Sequence, residues 1–218
     1  EAGENLEITS KSYLSLSDLA DLGTVMGNVY HTKDDMIDCV NAFYEGMVTR
    51  SEEMKLHPNY RTGENYAYLG LAPQFLIFDE YVAFLEMLTT KESTALLSQL
   101  KKIVMLDRQA GYFLIVACQR PDAKYFGDGI RDNFNFRVGL GRMSELGYGM
   151  LFGSDVKKQF FQKRIKGRGY CDVGTSVISE FYTPLVPNEY DFLVTIGELA
   201  HTRQDGQVAC EAKATGTD

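Results

Sequence analysis

Long apolar runs are missing from this 218-residue chain. No stretch approaches the roughly 20 consecutive apolar residues of a spanning helix, so no membrane insertion by these residues is expected. The opening Glu1-Ala2-Gly3-Glu4 has neither the basic start nor the apolar core of a signal peptide. It also lacks an initiator Met, which points to a fragment or a processed chain. Metal-ligand spacing is absent too. The four cysteines (Cys39, Cys118, Cys171, Cys210) lie far from one another and from His31, His57 and His201. This excludes a Cys/His cluster and, in a cytosolic setting, reads as free thiols rather than a disulfide framework. Positive charge is scarce, with 22 Lys and Arg against 30 Asp and Glu, a net charge of −8. That argues against attraction of DNA or anionic membrane to the whole surface, while leaving room for a local basic groove. No internal repeat is visible. What remains is a globular chain, 44% hydrophobic and 24% charged, long enough to bury a sizeable core.

The chain is organised around Phe75-Leu76-Ile77-Phe78-Asp79-Glu80. Four large apolar residues in succession read as a strand buried on both faces, as in a parallel sheet covered by helices. The two carboxylates then stand at the carboxyl end of the strand, where open α/β sheets place their ligands. This is the form of a Walker B strand, in which the first acid holds Mg²⁺ through water and the second orients or deprotonates the attacking water. The plain alternative is a buried strand ending in a solvated acidic turn.

Upstream, Tyr13–Ser17 alternates like a short strand, and Asp18–Gly23 like a helical turn ended by Gly. Thr32 and Asp35 have capping-box spacing, and Met36, Ile37, Val40, Phe43, Tyr44, Met47 and Val48 follow at helical intervals, so a helix is predicted from about Lys33 to about Met54. Residues 57–73 read as a polar loop. After the acidic strand come a short helix over Tyr81–Met87 and a long one opened by Lys91-Glu92-Ser93 and closed by Gly111. Tyr112–Cys118 is a second solid apolar run, with Gln119-Arg120-Pro121 at its carboxyl end. Strand, helix, strand makes a right-handed βαβ unit, which sets Asp79-Glu80 and Gln119 along one sheet edge. A Gln there suits sensing a γ-phosphate or placing water, or else it only bonds a neighbouring loop. Residues 128–132 read as a helical turn, Phe134–Gly141 as a third strand, 142–156 as a loop with a short helix, 167–170 as a turn, 174–182 as a late strand and 190–196 as a last short helix. Between Val156 and Cys171 the basic residues Lys157, Lys158, Lys163, Arg164, Lys166 and Arg168 occur with no acid. This local inversion suits contact with nucleic acid or phosphate; a solvated helix face is the simpler account.

Taken together, the Phe75–Glu80 strand, the following helix, Leu114–Pro121 ending in Gln-Arg-Pro, the strand carrying Arg137 and the Gly167-Arg168-Gly169 turn resemble the motor domain of the FtsK/SpoIIIE DNA translocases. An apolar strand ending in Gln-Arg-Pro after a Walker B strand is specific to that family among P-loop ATPases. The likeness extends over residues 10 to 196, and in particular toward the FtsK-like coupling proteins of Gram-positive conjugative transposons. It implies an α/β, RecA-like P-loop fold with a mainly parallel sheet. It implies ATP and Mg²⁺ as cofactors, and as partners DNA, further copies in a hexameric ring, a relaxase and membrane channel proteins. By the same resemblance Asp79 is the Mg²⁺-side carboxylate, Glu80 the catalytic carboxylate and Gln119 the γ-phosphate sensor. Arg137 or Arg131 is the arginine finger, and Lys157, Lys158, Lys163 and Arg164 are candidate DNA contacts.

One departure from the family pattern weighs against these matches: no G-x-x-x-x-G-K-[ST] occurs anywhere in the chain. That loop supplies the N–H cradle and the Lys for the phosphates. Residues 1–196 are therefore expected to be a C-terminal part of a motor domain, inactive alone, with 197–218 a polar, disordered tail. The family's membrane-spanning segments would lie upstream, holding a cytoplasmic motor at the membrane. The alternatives are a non-hydrolysing remnant that binds protein partners, and another P-loop secretion or packaging ATPase.

Overall fold

The computed structural model describes residues 5–10, 19, 28–153, 156, 160, 165–175 and 177–198. Its first sheet has four parallel strands in the order β2-β1-β3-β4, where β1 is Asn5–Ser10, β2 Val29–Tyr30, β3 Gln74–Asp79 and β4 Tyr112–Val116. Helix α1 (Lys33–Leu56) starts where the capping box places it: the Asp35 amide donates to the Thr32 hydroxyl, which in turn donates to the Asp35 carboxylate at 2.5 Å. Its Met36, Val40, Phe43 and Met47 are buried at helical spacing. Helix α2 (Tyr81–Leu85) follows β3 directly, and α3 (Thr90–Ala110) is the crossover to β4. Thr89 and Glu92 form a second capping box, unread in the sequence, at the start of α3. Gly111, at φ 74°, closes α3 and turns the chain into β4. Arg50 ties the end of α1 to this junction, donating to the carbonyls of Ala72 (2.7 Å) and Ala110 (3.3 Å) over the Tyr112 ring.

One face of this sheet is sealed. Leu76, Phe78 and Leu114 pack with the buried residues of α1 and with Leu96, Leu100, Ile103 and Val104 of α3. At about 1.5–3 kcal/mol for each fully buried large apolar side chain, this cluster is the main source of stability in the first unit. The expectation of equal cover on both faces is corrected. Phe75, Ile77 and Phe113 are half-buried, and Ile115 is 47% exposed. Phe75 stacks on Phe113, which Tyr66 meets edge-on. Solid apolar runs do not reveal which face carries more cover.

Beyond β4 come α4 (Ala123–Ile130), a 3-10 turn over Arg131–Asn133, and a second sheet with its own small core. This sheet is antiparallel, in the order β5-β6-β7: β5 Arg137–Leu140, β6 Arg168–Asp172 and β7 Ile178–Tyr182. The third predicted strand thus exists but pairs outside the parallel sheet, and the turn predicted at 167–170 is largely strand β6. Gly169 explains the misreading. A β-carbon there would run into the carbonyl of Gly139 across the ladder, so close pairing, not a bend, requires glycine. Helix α5 (Glu145–Phe152) sets Tyr148 edge-on to Tyr170, and Phe160 stacks on both Tyr148 and Phe152. A last helical stretch covers 192–198, with Asp191 accepting from the amides of Leu193 and Val194. The predicted strand at 13–17 and most of the turn at 18–23 lie outside the described residues, as does nearly all of the tail.

Candidate functional site

The site is built where β3 and β4 end. The two strands run parallel in register from Gln74 against Tyr112 to Phe78 against Val116. Pairing continues one step further: the Ala117 amide donates to the Phe78 carbonyl (2.8 Å), and the Tyr81 amide to the Ala117 carbonyl (3.0 Å). Asp79 is also in register with Ser10 of β1. The βαβ geometry expected from the sequence is therefore present, and Asp79-Glu80 and Gln119 leave the sheet at the same end.

Glu80 alone separates β3 from α2, so the whole change of direction falls on it. It sits at φ 54°, ψ 48°, in the left-handed region, the one non-glycine residue with positive φ among those described. For an L-residue other than Gly this costs on the order of 1–2 kcal/mol. Glu80 is the N-cap of α2 but its side chain does not cap the helix, so the carboxylate is not used in holding the turn. Asp79 and Glu80 are half-buried, and neither carboxylate has a hydrogen bond or ion pair among the described residues. Gln119 and Arg120 are exposed, and Pro121 is buried.

Two neighbours of Glu80 were not singled out by sequence reasoning. The Cys118 thiol is pushed up to about 11, chiefly by burial, then by the charge of Glu80 and less by that of Asp122; a hydrogen bond from the Arg120 amide pulls the other way. Tyr81 is 1% exposed, and burial raises its hydroxyl well above the ordinary range, with a smaller contribution from Cys118. The direct Glu80-Tyr81 junction, with no Gly between strand and helix, was the available signal.

The arginines part company. Arg137 donates to Asp172 at 2.7 Å and to the Leu151 carbonyl at 3.2 Å, with the Asp172 side chain 5% exposed. Arg137 is thus tied to the neighbouring strand β6 through Asp172 and to α5 through Leu151. Arg131 follows α4 on the 3-10 turn, with a single 3.4 Å contact to the adjacent Asp132. Lys157, Lys158, Lys163 and Arg164 lie outside the described residues. Of the same basic stretch, Lys166 is exposed and Arg168 lies 4.7 Å over the Tyr182 ring.

No group of three or more His, Cys, Asp or Glu side chains is gathered for a metal among the described residues. Mg²⁺ is commonly held by one or two carboxylates together with substrate phosphates, and Asp79 would be the residue here with that donor chemistry. The nucleotide fits less well: the chain's own residues contain no phosphate cradle of the G-x-x-x-x-G-K-[ST] kind. No helix among the described residues is long and apolar enough to cross a membrane.

No family model matches the chain. It is 51% identical over 203 residues to the FtsK domain-containing protein YdcQ of Bacillus subtilis (strain 168), an alignment covering 93% of this chain and 42% of that protein. The chain thus spans less than half of that relative's length. Among solved structures it is similar to the pCW3 conjugation coupling protein TcpA, in a monomer form with ATPγS (TM-score 0.64, 16% identity, 83% of this chain and 52% of that one). It is also similar to ATPases 2 and 3 of EssC from Geobacillus thermodenitrificans (TM-score 0.63, 14% identity, 93% and 37%) and to the cytoplasmic domain of the type VII secretion ATPase EccC of Thermomonospora curvata (TM-score 0.61, 18% identity, 86% and 22%). At such identities these likenesses bear on the fold, which is that of P-loop ATPase motors: an α/β unit with a parallel sheet, here accompanied by an antiparallel one. With half of its residues identical to YdcQ across nearly its whole length, and with this fold, the chain belongs to the FtsK-domain family.

Proposed function

We propose that residues 1–196 form part of an ATP-dependent DNA translocase of the conjugative coupling type, working as a ring of copies that moves DNA toward a membrane transfer channel. The observation that carries the reading is the parallel β3-β4 pair, which brings Asp79-Glu80 and Gln119 out at one sheet end with the Glu80 carboxylate left free by the helix it begins. In this reading Asp79 holds Mg²⁺ on the protein side, and the cation neutralises phosphate charge when bound. Glu80 takes a proton from the attacking water or orients it, and Gln119, exposed on its own arm, contacts the terminal phosphate or that water. Arg131 and Arg137 are both candidate fingers. DNA contacts fall to the basic stretch at Lys157, Lys158, Lys163 and Arg164, and a relaxase is a further partner.

Two other readings each have one supporting observation. The missing phosphate cradle favours a non-hydrolysing interaction module. The similarity to EssC and EccC favours a motor of protein secretion. The test is magnesium-dependent ATP hydrolysis, with and without DNA, by the 218-residue chain and by a longer FtsK-domain protein carrying it. The chain alone is expected to be inactive. The longer protein is expected to be stimulated by DNA and to lose about 10²-fold or more of its rate in Glu80→Gln, the typical worth of a general base. Hydrolysis unaffected by Glu80→Gln overturns the catalytic assignment, and stimulation by a secreted peptide in place of DNA favours the secretion motor.

A further inference from the structure

The left-handed turn at Glu80 has no support from Glu80 itself, because its side chain makes no cap. Helix α2 cannot provide it either, since five residues are too few to hold a helix by propagation. The support comes from the next residue. The Tyr81 amide donates to the Ala117 carbonyl at 3.0 Å, which fastens the turn to the end of β4. Its ring meets Phe78 of β3 edge-on, with centroids 5.6 Å apart, and Phe126 of α4 at 5.2 Å. Its hydroxyl donates to the Tyr125 carbonyl of α4 at 3.0 Å. Two elements, β3 and α4, thus converge on one buried side chain while its amide reaches the end of β4, and α4 is the element that follows Gln119-Arg120-Pro121.

We propose that Tyr81 is a positioning residue: through its hydroxyl bond to α4 and its amide bond to β4, it holds the Glu80 carboxylate at a set place between the two strand ends. A phenylalanine would fill the same core, so the core alone does not account for the hydroxyl and its partner. The functional meaning rests on the reading of Glu80 as the catalytic carboxylate, but the placement does not. Loss of the hydroxyl lets α4 and the Glu80 turn move apart, and the left-handed backbone, no longer fastened on both sides, relaxes. The carboxylate then spends less time against its neighbours.

Cys118 reports that distance. The charge of Glu80 acts on its thiol, with Asp122 and Tyr81 as the other titratable groups acting on it or affected by it. The experiment measures alkylation of Cys118 in the full chain by a small neutral reagent at pH 8, read on the Cys118 peptide by mass spectrometry, in parent, Tyr81→Phe, Glu80→Gln and the double variant. The thiolate is the reacting form, so a fall of half a unit in the thiol's titration raises the rate about threefold. The expected result is a rise of about threefold in Tyr81→Phe, a larger one in Glu80→Gln, and no further rise when Tyr81→Phe is added to Glu80→Gln. A parent rate in Tyr81→Phe, or the same fold-increase in both backgrounds, overturns the proposal, since the second outcome means general loosening. If Tyr81→Phe loses its cooperative melt, the cycle is run on Glu80→Gly, because Gly takes the left-handed turn unaided. Exchange of the residue-81 amide should then rise much less with Tyr81→Phe in that background than in the parent, and equal rises again overturn it. Failure of these cycles removes Tyr81 and leaves the ATPase reading standing. Hydrolysis surviving Glu80→Gln in the longer protein removes that reading and leaves the geometry.

Discussion

Replacing Asp172 by Asn isolates the buried ion pair between Asp172 and Arg137. Asn has the same shape, keeps an oxygen for the Gly174 amide that Asp172 now binds at 2.9 Å, and removes only the charge. The Arg137 guanidinium is then left without a counter-ion in a place where its side chain is 18% exposed. Two unit charges about 4 Å apart attract by about 4 kcal/mol at an effective dielectric of 20. Removing one partner of a buried pair typically costs about 3–5 kcal/mol, because the other charge stays desolvated. Here the Leu151 carbonyl still accepts from Arg137 and some water reaches the group, so the bottom of that range applies, about 3 kcal/mol. Urea unfolding followed by far-ultraviolet circular dichroism and tyrosine fluorescence measures it, since the chain has 13 Tyr and no Trp. A loss below about 0.5 kcal/mol refutes the reasoning. Arg137→Met combined with Asp172→Leu should recover most of the loss, as apolar replacements of buried pairs commonly do. The same variants bear on mechanism: if Arg137→Met in the longer protein abolishes hydrolysis with its melt unchanged, Arg137 acts outside its own sheet.

Three further outcomes follow from the structure. The Glu92 carboxyl is held down to about 2, first by the hydrogen bond from Lys33 and then by the Thr89 amide and hydroxyl, so its contribution is present above the ordinary carboxylate value near 4.5 and lost as pH falls toward 2; Glu92→Gln should flatten that acid limb of the melting temperature between pH 5 and 2. In the longer protein, neutralising Lys157, Lys158, Lys163 and Arg164 should reduce the slope of log affinity for double-stranded DNA against log salt by up to about 0.9 for each phosphate that these side chains neutralise, and an unchanged slope identifies a solvated face. Glu80→Gly should raise stability by about 0.5–1 kcal/mol in the chain itself, because relief of the left-handed backbone exceeds the entropy added to the unfolded state; calorimetric melting checks the sign.

The elements legible in the sequence were those whose local chemistry and tertiary role agree. Thr32 with Asp35 marks the start of α1, and Gly111 marks the end of α3, at a position where left-handed backbone is observed. The runs at Phe75–Phe78 and Tyr112–Val116 gave two strands, and the length between them gave their parallel pairing, so the positions of Asp79, Glu80 and Gln119 followed. Strand β1 was not legible. Asn5-Leu6-Glu7-Ile8-Thr9-Ser10 is mostly polar, yet it lies between β2 and β3, where its backbone pairs on both sides. Strand β6 was hidden by Gly167 and Gly169, which look like a turn until the neighbouring strand is in place. The bond between Arg137 and Asp172 joins residues 35 apart on paired strands, and no local pattern announces it.

The two arms of the candidate site differ in a way that bears on how it would work. Glu80 is set in a strained turn that persists only if its surroundings over-determine it, and Tyr81 restrains it through its amide, its ring and its hydroxyl. A glycine would make the same turn without strain, so a carboxylate there has to be accounted for by something other than folding. Gln119 is the opposite case. It stands exposed beyond the last paired residue, ahead of a buried Pro121 that fixes where the arm returns to the fold. One arm is therefore preset while the other is free to adjust over the few residues between Ala117 and Pro121. A group that must hold water at one distance needs the first property, since small misplacements are costly for proton transfer. A group that must register whether a phosphate is present needs the second. The division rests on the Glu80 backbone, the Tyr81 contacts and the exposure of Gln119, and it is what the roles proposed for Glu80 and Gln119 would require.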